Sequence, residues 1–218
     1  MKEIVVKNRR QTTVTDEALY ALDRESHKKW ADQGLDAPWM HLTFEEFRQA
    51  IRHVTMFVAL DAGTGELLGM HSFRPHLKEG WCYGFRLAVV STARREGVAS
   101  RMLAFEEECI RQAGYRYLKG VTATTAEWSV RWHLNNSYRI IGYYRSPNDN
   151  FANYVFRKQL VPSVLWDSAF YCRCRYLLSY TITRLTKDPQ GHDTQLGRIA
   201  KRVSNRLVGT HRRDTTSH

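Results

Sequence analysis

The chain has 218 residues, and its 33 lysines and arginines outnumber 22 aspartates and glutamates, which gives a formal net charge of +11. This length, with an apolar content of 43%, fits one domain and an appendage. No stretch approaches the ~18 uncharged apolar residues of a membrane span, and the N-terminus lacks the apolar region of a signal peptide. The sequence therefore predicts a cytoplasmic protein.

The first half of the chain predicts a strand, two helices and a β-hairpin. Residues 2–7 are strand-like, Thr15 caps the first helix, and Thr43 opens the second with the Thr-x-x-Glu pattern of a capping box. Apolar runs at 56–60 and 67–73 enclose a turn with two glycines, which is typical of a hairpin.

The second half predicts four strands and two helices. They are, in order, a strand at 81–90, a helix at 96–113, a strand at 117–123, a helix at about 127–140, a strand around Tyr143 and a strand at 154–160. The helix at 96–113 is amphipathic, and its apolar face is formed by Val98, Met102, Phe105 and Cys109, with Leu103 and Ile110 beside them. Glu106, Glu107 and Glu108 are predicted on the charged side of this helix.

The turn at residues 94–99 joins a strand to this amphipathic helix. A turn that contains a glycine and a small residue leaves free backbone N–H groups at the positive end of the helix dipole, which suits a diphosphate. The sequence Arg94-Arg95-Glu96-Gly97-Val98-Ala99 therefore predicts a site for a phosphorylated cofactor. The alternative is a helix N-terminus with a closely packed glycine.

Three separated motifs resemble the GNAT superfamily of N-acyltransferases over about residues 1–160. They are the Arg94-x-x-Gly97-x-Ala99 loop, the preceding strand segment Leu87-Ala88-Val89, and the signature Tyr138-Arg139-Ile140-Ile141-Gly142-Tyr143. The resemblance implies an α/β fold with a mixed, mostly antiparallel central sheet and flanking helices. It also implies an acetyltransferase domain at 1–160 that moves an acetyl group from acetyl-CoA to a primary amine of a small molecule or a protein N-terminus.

The resemblance also implies roles for individual residues. Leu87 and Val89 would offer backbone groups to pantetheine, and Tyr138 would be the general acid that protonates the departing thiolate. The residues implied to hold the diphosphate are Arg94, Arg95, Glu96, Gly97, Val98, Ala99 and Ser100.

The general base and the acceptor pocket are less well defined by the sequence. The strand at 81–90 contains no carboxylate, so Glu79 just before it is the first candidate base, with His71, His76 or a water chain as alternatives. Each of these side chains could instead be an ordinary surface group. The side chains that could line the acceptor pocket, or simply the core, are Trp30, Trp39, Met40, Phe73 and Trp81.

Residues 161–218 lie beyond the predicted domain and carry ten arginines and lysines against four aspartates. They predict a basic, aromatic, largely helical extension whose end is disordered. This extension could pack on the core or form a homodimer. It could also bind an anionic membrane surface or an acidic acyl carrier protein, and in that case the acyl donor would carry a longer chain. Without a base-reading module, no specific nucleic-acid binding is predicted. A non-catalytic binding module is the remaining alternative.

The four cysteines do not form a metal-binding pattern. Cys172 and Cys174 are separated by one residue, which is the wrong spacing for zinc, and Cys82 and Cys109 do not make a second pair. The sequence predicts reduced thiols and no metal site.

Overall fold

The computed structural model describes residues 3–76, 79–162 and 169–200. The strands are β1 (Ile4–Asn8), β2 (Thr55–Asp61), β3 (Leu67–His76), β4 (Trp81–Val89), β5 (Tyr117–Ala123), β6 (Arg139–Arg145) and β7 (Ala152–Gln159). The helices are α1 (Asp16–Ala31), α2 (Phe44–Ile51), α3 (Val98–Gln112), α4 (Glu127–Asn135) and α5 (Ala169–Thr186).

The seven strands form one sheet in the order β1-β2-β3-β4-β5-β7-β6. Among these strands, β4 and β5 alone pair in parallel, and the other neighbours are antiparallel. The prediction of a mixed, mostly antiparallel sheet with flanking helices and a helical C-terminal extension is therefore confirmed.

Helices cover both faces of the sheet. Leu19 of α1 and Phe47 of α2 pack with Val58 on one face, and Met102 of α3 packs with Ala59 on the other. Adjacent residues of a strand point to opposite faces, so β2 contributes to both apolar layers. Full burial of each large apolar side chain stabilises the fold by about 1.5–3 kcal/mol.

The start signals of the first two helices are confirmed. The Thr15 hydroxyl accepts a hydrogen bond from the Ala18 N–H at α1. Thr43 and Glu46 form the reciprocal hydrogen bonds of a capping box at α2. The predicted extent of α4 to residue 140 is wrong, because α4 ends at Asn135 and Ser137 adopts a left-handed φ of 65°. Residues 139 and 140 consequently belong to β6.

Helix α5 lies along β6, which is the last strand of the sheet. The Tyr143 N–H donates to Ser179 Oγ at 2.7 Å, and the Thr183 hydroxyl donates to the Tyr143 carbonyl at 3.0 Å. These side chains satisfy backbone groups that a bare sheet edge would leave unpaired. Nowhere in the described ranges is a helix both long and apolar enough to span a bilayer. The predicted basic helix at 196–208 is described only to residue 200, where residues 195–200 are helical, and the predicted disordered end lies outside the described residues.

Candidate active site

Strands β4 and β5 pair at one end only. Their register runs from Trp81 opposite Tyr117 to Tyr83 opposite Lys119, and from there the two strands diverge. Beside this gap β4 carries a bulge, where Arg86 has a left-handed φ of 56° and the register with β3 shifts. Backbone groups along the gap need partners, so an extended ligand can lie there as an added strand.

A cleft of about 840 Å³ opens along this gap. This volume is in the range of pockets that take up a cofactor or a drug-sized ligand. The predicted site residues that line the cleft are Leu87, Val89, Arg94, Arg95, Ala99 and Tyr138. The Val90 N–H donates to the Leu68 carbonyl on the β3 side, so the alternation of an antiparallel pair directs the backbone of Val89 toward the gap.

The turn before α3 presents free backbone donors at the open end of the cleft. Over the part of the chain that the structure describes, the N–H groups of residues 95–100 have no protein acceptor. Arg95 and Gly97 adopt left-handed φ values of 67° and 82°, and a side chain on Gly97 would meet nothing within 4 Å. Alternating left-handed residues before a helix form an anion-binding concavity.

Three cations surround this turn. Lys29, Arg94 and Arg95 line the mouth of the cleft, and the Lys29 ammonium lies 4.2 Å from the centre of the Trp128 ring. Burial lowers the pKa of Lys29, and the charges of Arg94 and Arg95 lower it further. Arg94 pairs with Glu25, with Nη2 3.6 Å from Oε1, and a bound polyanion would relieve the remaining repulsion among the three cations.

The closed end of the cleft lies between two glycines, Gly84 on β4 and Gly120 on β5. A Cβ atom at Gly84 would lie 3.1 Å from His71 Nε2, and one at Gly120 would lie 3.0 Å from His133 Nε2. Both imidazoles line the cleft. The absence of side chains at the two glycines therefore lets two histidines approach the place where the strands part.

Each histidine is oriented through its other ring nitrogen. His71 Nδ1 lies 2.9 Å from Glu106 Oε2, and His133 Nδ1 lies 2.8 Å from the Ser129 carbonyl oxygen. A carbonyl oxygen is only an acceptor, so His133 carries its proton on Nδ1 and presents a lone pair at Nε2. Burial lowers the pKa of His133 to about 4, which keeps this ring neutral at physiological pH.

Tyr138 lies on the same side of the sheet as the histidines, in the turn between α4 and β6. Its side chain is 6% exposed and packs edge-on against His133, with ring centres 5.2 Å apart. Burial raises the pKa of the Tyr138 phenol strongly, and the nearby charges of Glu107 and Glu106 raise it further. The phenol therefore keeps its proton in the free protein.

Comparison with known proteins decides the family. The family model described as Acetyltransferase (GNAT) family matches residues 17–136, which is more than half of the chain. The chain belongs to the GNAT family. No curated protein matches it.

Solved GNAT structures share the fold at low sequence identity. The ribosomal-protein-S18-alanine N-acetyltransferase of Escherichia coli is 10% identical with a TM-score of 0.57, over 75% of this chain and 97% of that one. An N-acetyltransferase of Staphylococcus aureus Mu50 is 19% identical with a TM-score of 0.55, over 73% and 99%. A GCN5-related N-acetyltransferase of Kribbella flavida is 18% identical with a TM-score of 0.56, over 72% and 97%. These likenesses concern the fold alone.

Glu79 lies away from the part of the GNAT cleft where the histidines meet. Its side chain is 60% exposed, lies 3.5 Å from His76 Nδ1, and is not among the residues that line the cleft. Glu79 precedes Trp81, and the strand from Trp81 to Gly84 alone spans about 10 Å. The structure thus places this candidate base away from the two histidines, although its charge acts on Lys119, which lines the cleft.

The predicted acceptor-pocket residues divide between the GNAT cleft and the core. Trp30 and Trp39 line the cleft, whereas Met40 and Phe73 are buried in the core. Trp81 stacks on His76 outside the lining, with ring centres 3.6 Å apart.

Two carboxylates near the cleft were missed by the sequence analysis. Glu106, predicted on the charged side of α3, is fully buried and contacts His71. That prediction is wrong, because residue 106 lies four positions from both Met102 and Ile110 and so points into the core with them. Asp149, after β6, lines the cleft, and burial raises its pKa.

Asp149 belongs to the face of the sheet opposite α3. Cys82 packs on the α3 side, so its neighbour Tyr83 points to the other side. The charge of Asp149 acts on the phenols of Tyr83 and Tyr144, which both line the cleft. This half of the cleft therefore combines aromatic rings with one carboxylate.

Proposed function

We propose that this GNAT protein is an N-acetyltransferase that moves an acetyl group from acetyl-CoA directly to a primary amine of a small molecule or a protein N-terminus. The observation that carries the proposal is the gap between β4 and β5. Free N–H groups and cations lie at one end of this gap, and side chains that can transfer protons lie at the other end. A diphosphate ester with a long extended arm fits this distribution of charge.

The residues present fit acetyl-CoA as donor. The free N–H groups of residues 95–100 would donate hydrogen bonds to the diphosphate oxygens, with Lys29, Arg94 and Arg95 supplying charge around them. The backbone of Leu87 and Val89 would hydrogen-bond the extended arm along β4. Bound in this way, the thioester would reach the closed end near Gly84.

Tyr138 is proposed as the general acid. Its hydroxyl donates to no group among the residues that the structure describes, and its proton is retained by burial. The phenol is thus free to give its proton to sulfur as the carbon–sulfur bond breaks. Desolvation raises the pKa of a buried thiol as well as that of a phenol, so both proton-transfer partners gain affinity for the proton in this cleft.

Asp149 is proposed to hold the acceptor. A carboxylate among aromatic rings attracts an ammonium group, through charge and through cation–π contacts with Tyr83 and Tyr144. The acceptor would therefore enter from the face opposite α3 and place its reacting nitrogen in the gap beside Gly84, which His71 reaches from the α3 face. The donor would occupy the gap itself.

Titration calorimetry with acetyl-CoA tests the donor site. Gly97→Val forces a branched side chain into a left-handed conformation in the turn and should weaken acetyl-CoA binding at least tenfold. Gly65→Val is the matched control, since Gly65 has φ 73°, an equally open surrounding and a place in the β2–β3 turn. Equal affinities of Gly97→Val and the wild type would contradict the donor site.

Release of free CoA tests catalysis. Tyramine, putrescine and an alanine-terminated peptide serve as acceptor probes, and at least one should release CoA from acetyl-CoA faster than buffer does. Acetyl-CoA binding with no release by any amine would favour a non-catalytic binding module. Absence of binding at millimolar acetyl-CoA would refute the proposed function altogether.

The outer face of α5 favours a second role, which is separate from catalysis. The large apolar side chains that are at least half exposed on this helix are Phe170, Leu177, Leu178, Ile182 and Leu185. Their spacing follows the helical repeat and forms one stripe, while α5 contains three arginines and no acidic residue. We propose that this stripe binds an anionic lipid surface, because such surfaces attract cationic helices with an exposed apolar face. The net charge of +11 opposes pairing of two copies.

Co-sedimentation with lipid vesicles tests this second role. The chain should bind vesicles of phosphatidylcholine with 30% phosphatidylglycerol and should not bind pure phosphatidylcholine. Leu178→Ser should weaken binding severalfold, whereas Leu134→Ser, at an exposed leucine of α4, should not. Equal binding by both variants, or a dimer in solution with no vesicle binding, would refute it.

A further inference from the structure

We propose that His71, held by Glu106, carries the proton that the acceptor amine loses and returns it to Tyr138. This inference rests on the proposed N-acetyltransferase function and identifies its proton acceptor. Glu79 is then no part of the reaction. The observation behind it is a buried histidine–carboxylate pair that reaches the closed end of the cleft from β3 and α3.

The pair is built into the core of the protein. Glu106 is 0% exposed and His71 is 5% exposed, and the Nδ1–Oε2 distance between them is 2.9 Å. A carboxylate accepts hydrogen bonds, so the proton between the two residues lies on Nδ1 and the Nε2 lone pair points away from Glu106. This is the arrangement in which a carboxylate orients a general-base histidine.

A buried carboxylate at this position is difficult to explain by stability. Removal of an ion from water costs several kcal/mol, and one hydrogen bond recovers only part of that cost. Glu106 Oε1 is buried without a hydrogen-bond partner within the described part of the chain. Met102 and Ile110, one turn away on either side, are apolar core residues, and an apolar side chain would fit the same layer. A buried carboxylate that contacts a histidine lining a cleft is a candidate functional group.

Gly84 gives His71 access to the reaction site. His71 Nε2 lies 3.1 Å from the position of a Cβ atom at Gly84, so any larger residue there would press on the imidazole. Since β4 and β5 separate just after Tyr83, Gly84 lies where the gap begins. Among the residues that the structure describes, Nε2 has no hydrogen-bond partner. The lone pair is therefore available to a ligand in the cleft.

The surroundings distinguish His71 from His133. His133 has a pKa lowered to about 4 by burial, and its Nδ1 donates to a carbonyl group that carries no charge. It is a poor proton acceptor near neutral pH and can hydrogen-bond a ligand instead. Among the described residues, the titratable groups that interact with His71 are Glu106 on α3, through the hydrogen bond, and His133 on α4, through charge. Of these groups, only Glu106 hydrogen-bonds the His71 ring.

The proton steps balance through these side chains. The acceptor ammonium first releases one proton to water, and as the carbon–nitrogen bond forms, His71 Nε2 takes the second proton from the attacking nitrogen, directly or through one water. As the carbon–sulfur bond breaks, the Tyr138 hydroxyl gives its proton to sulfur. The imidazolium of His71 then returns a proton to the Tyr138 phenolate through water in the cleft that both side chains line. The products are the amide and free thiol, and both side chains regain their starting states.

Kinetics of two variants test the inference. His71→Gln should lower kcat about 100-fold or more, the usual contribution of a general base, with acetyl-CoA affinity within threefold of wild type. Glu106→Gln should lower kcat about tenfold or more, because it acts by positioning His71. Its KM for the amine should stay within threefold of wild type, because Glu106 does not line the cleft. Glu108→Gln, at an exposed carboxylate of the same helix, is the matched control and should change neither quantity.

The outcomes separate this inference from the proposed function. If wild type binds acetyl-CoA and acetylates an amine while His71→Gln keeps more than half of the turnover with the same pH profile, His71 is not the proton carrier. If wild type neither binds nor turns over, the proposed function itself fails. Acetyl-CoA binding by the variant serves as its test of folding, and His71→Asn provides a second variant should His71→Gln fail that test.

Discussion

Replacement of Glu106 by methionine should separate activity from stability. The side chains are similar in volume, so no large cavity forms in the α3 layer. The change removes a buried charge with an unpartnered Oε1, and replacements of this kind are neutral or stabilising by about 1–4 kcal/mol. It also leaves His71 Nδ1 without its acceptor, which costs about 1–3 kcal/mol.

These opposing effects nearly cancel. We expect the free energy of unfolding of Glu106→Met to stay within about 2 kcal/mol of wild type, which for a chain of this size is a shift in Tm of up to about 8 °C. Turnover per folded molecule should nevertheless fall at least tenfold, because the His71 imidazole is no longer oriented.

Urea unfolding and CoA release measure the two quantities on the same preparation. Glu108→Met, at an exposed position that pairs with Arg111, controls for charge removal from α3. Loss of more than 3 kcal/mol of stability, with unchanged turnover per folded molecule, would show that Glu106 is structural and does not position His71 for catalysis.

Four further predictions follow from single contacts. Tyr138→Phe should lower turnover severalfold or more. Stability and the acetyl-CoA affinity measured by calorimetry should stay near wild type, because no described residue forms a hydrogen bond with the hydroxyl. Unchanged turnover would show that Tyr138 is not the general acid. Arg95→Ala should weaken acetyl-CoA binding severalfold in 50 mM salt and less in 500 mM salt, and a salt-independent loss would contradict a charge effect. Ser179→Val should cost about 1 kcal/mol in urea unfolding, because the Tyr143 N–H loses its acceptor; no change would mean that the α5 contact does not stabilise β6. Between about pH 6.5 and 4, His133 takes up a proton in the unfolded chain but stays neutral in the folded protein. Over this range the free energy of unfolding of wild type should therefore fall by up to about 1.4 kcal/mol per pH unit relative to His133→Gln. Parallel stability curves for the two proteins would contradict this prediction.

The sequence predicted the order of elements because each was marked by a local signal. The cap at Thr15 and the capping box at Thr43 fixed the starts of α1 and α2, and the glycine turn at 61–65 fixed the β2–β3 hairpin. The boundary of α4 was missed because its apolar pattern continues into β6. The run Asn135-Asn136-Ser137, which ends the helix through a left-handed residue, was the signal available there.

The catalytic surroundings were harder to predict because they depend on contacts between distant segments. Glu106 and His71 are 35 positions apart, and nothing local in either segment indicates the other. The spacing of Glu106 from Met102 and Ile110 did place a carboxylate on the core side of α3, which is a readable signal of a buried charge. Asp149 carries no such pattern, since its place in the cleft depends on how the β6–β7 connection folds back over the sheet.

Hydrogen–deuterium exchange of the backbone amides at residues 95–100 shows whether this turn holds acetyl-CoA. These N–H groups have no protein acceptor in the described structure, so they should exchange rapidly in the free protein. Saturating acetyl-CoA should slow their exchange at least tenfold and leave the β2–β3 turn unchanged. Unaltered exchange at residues 95–100 under conditions where calorimetry shows acetyl-CoA bound would mean that the donor lies elsewhere.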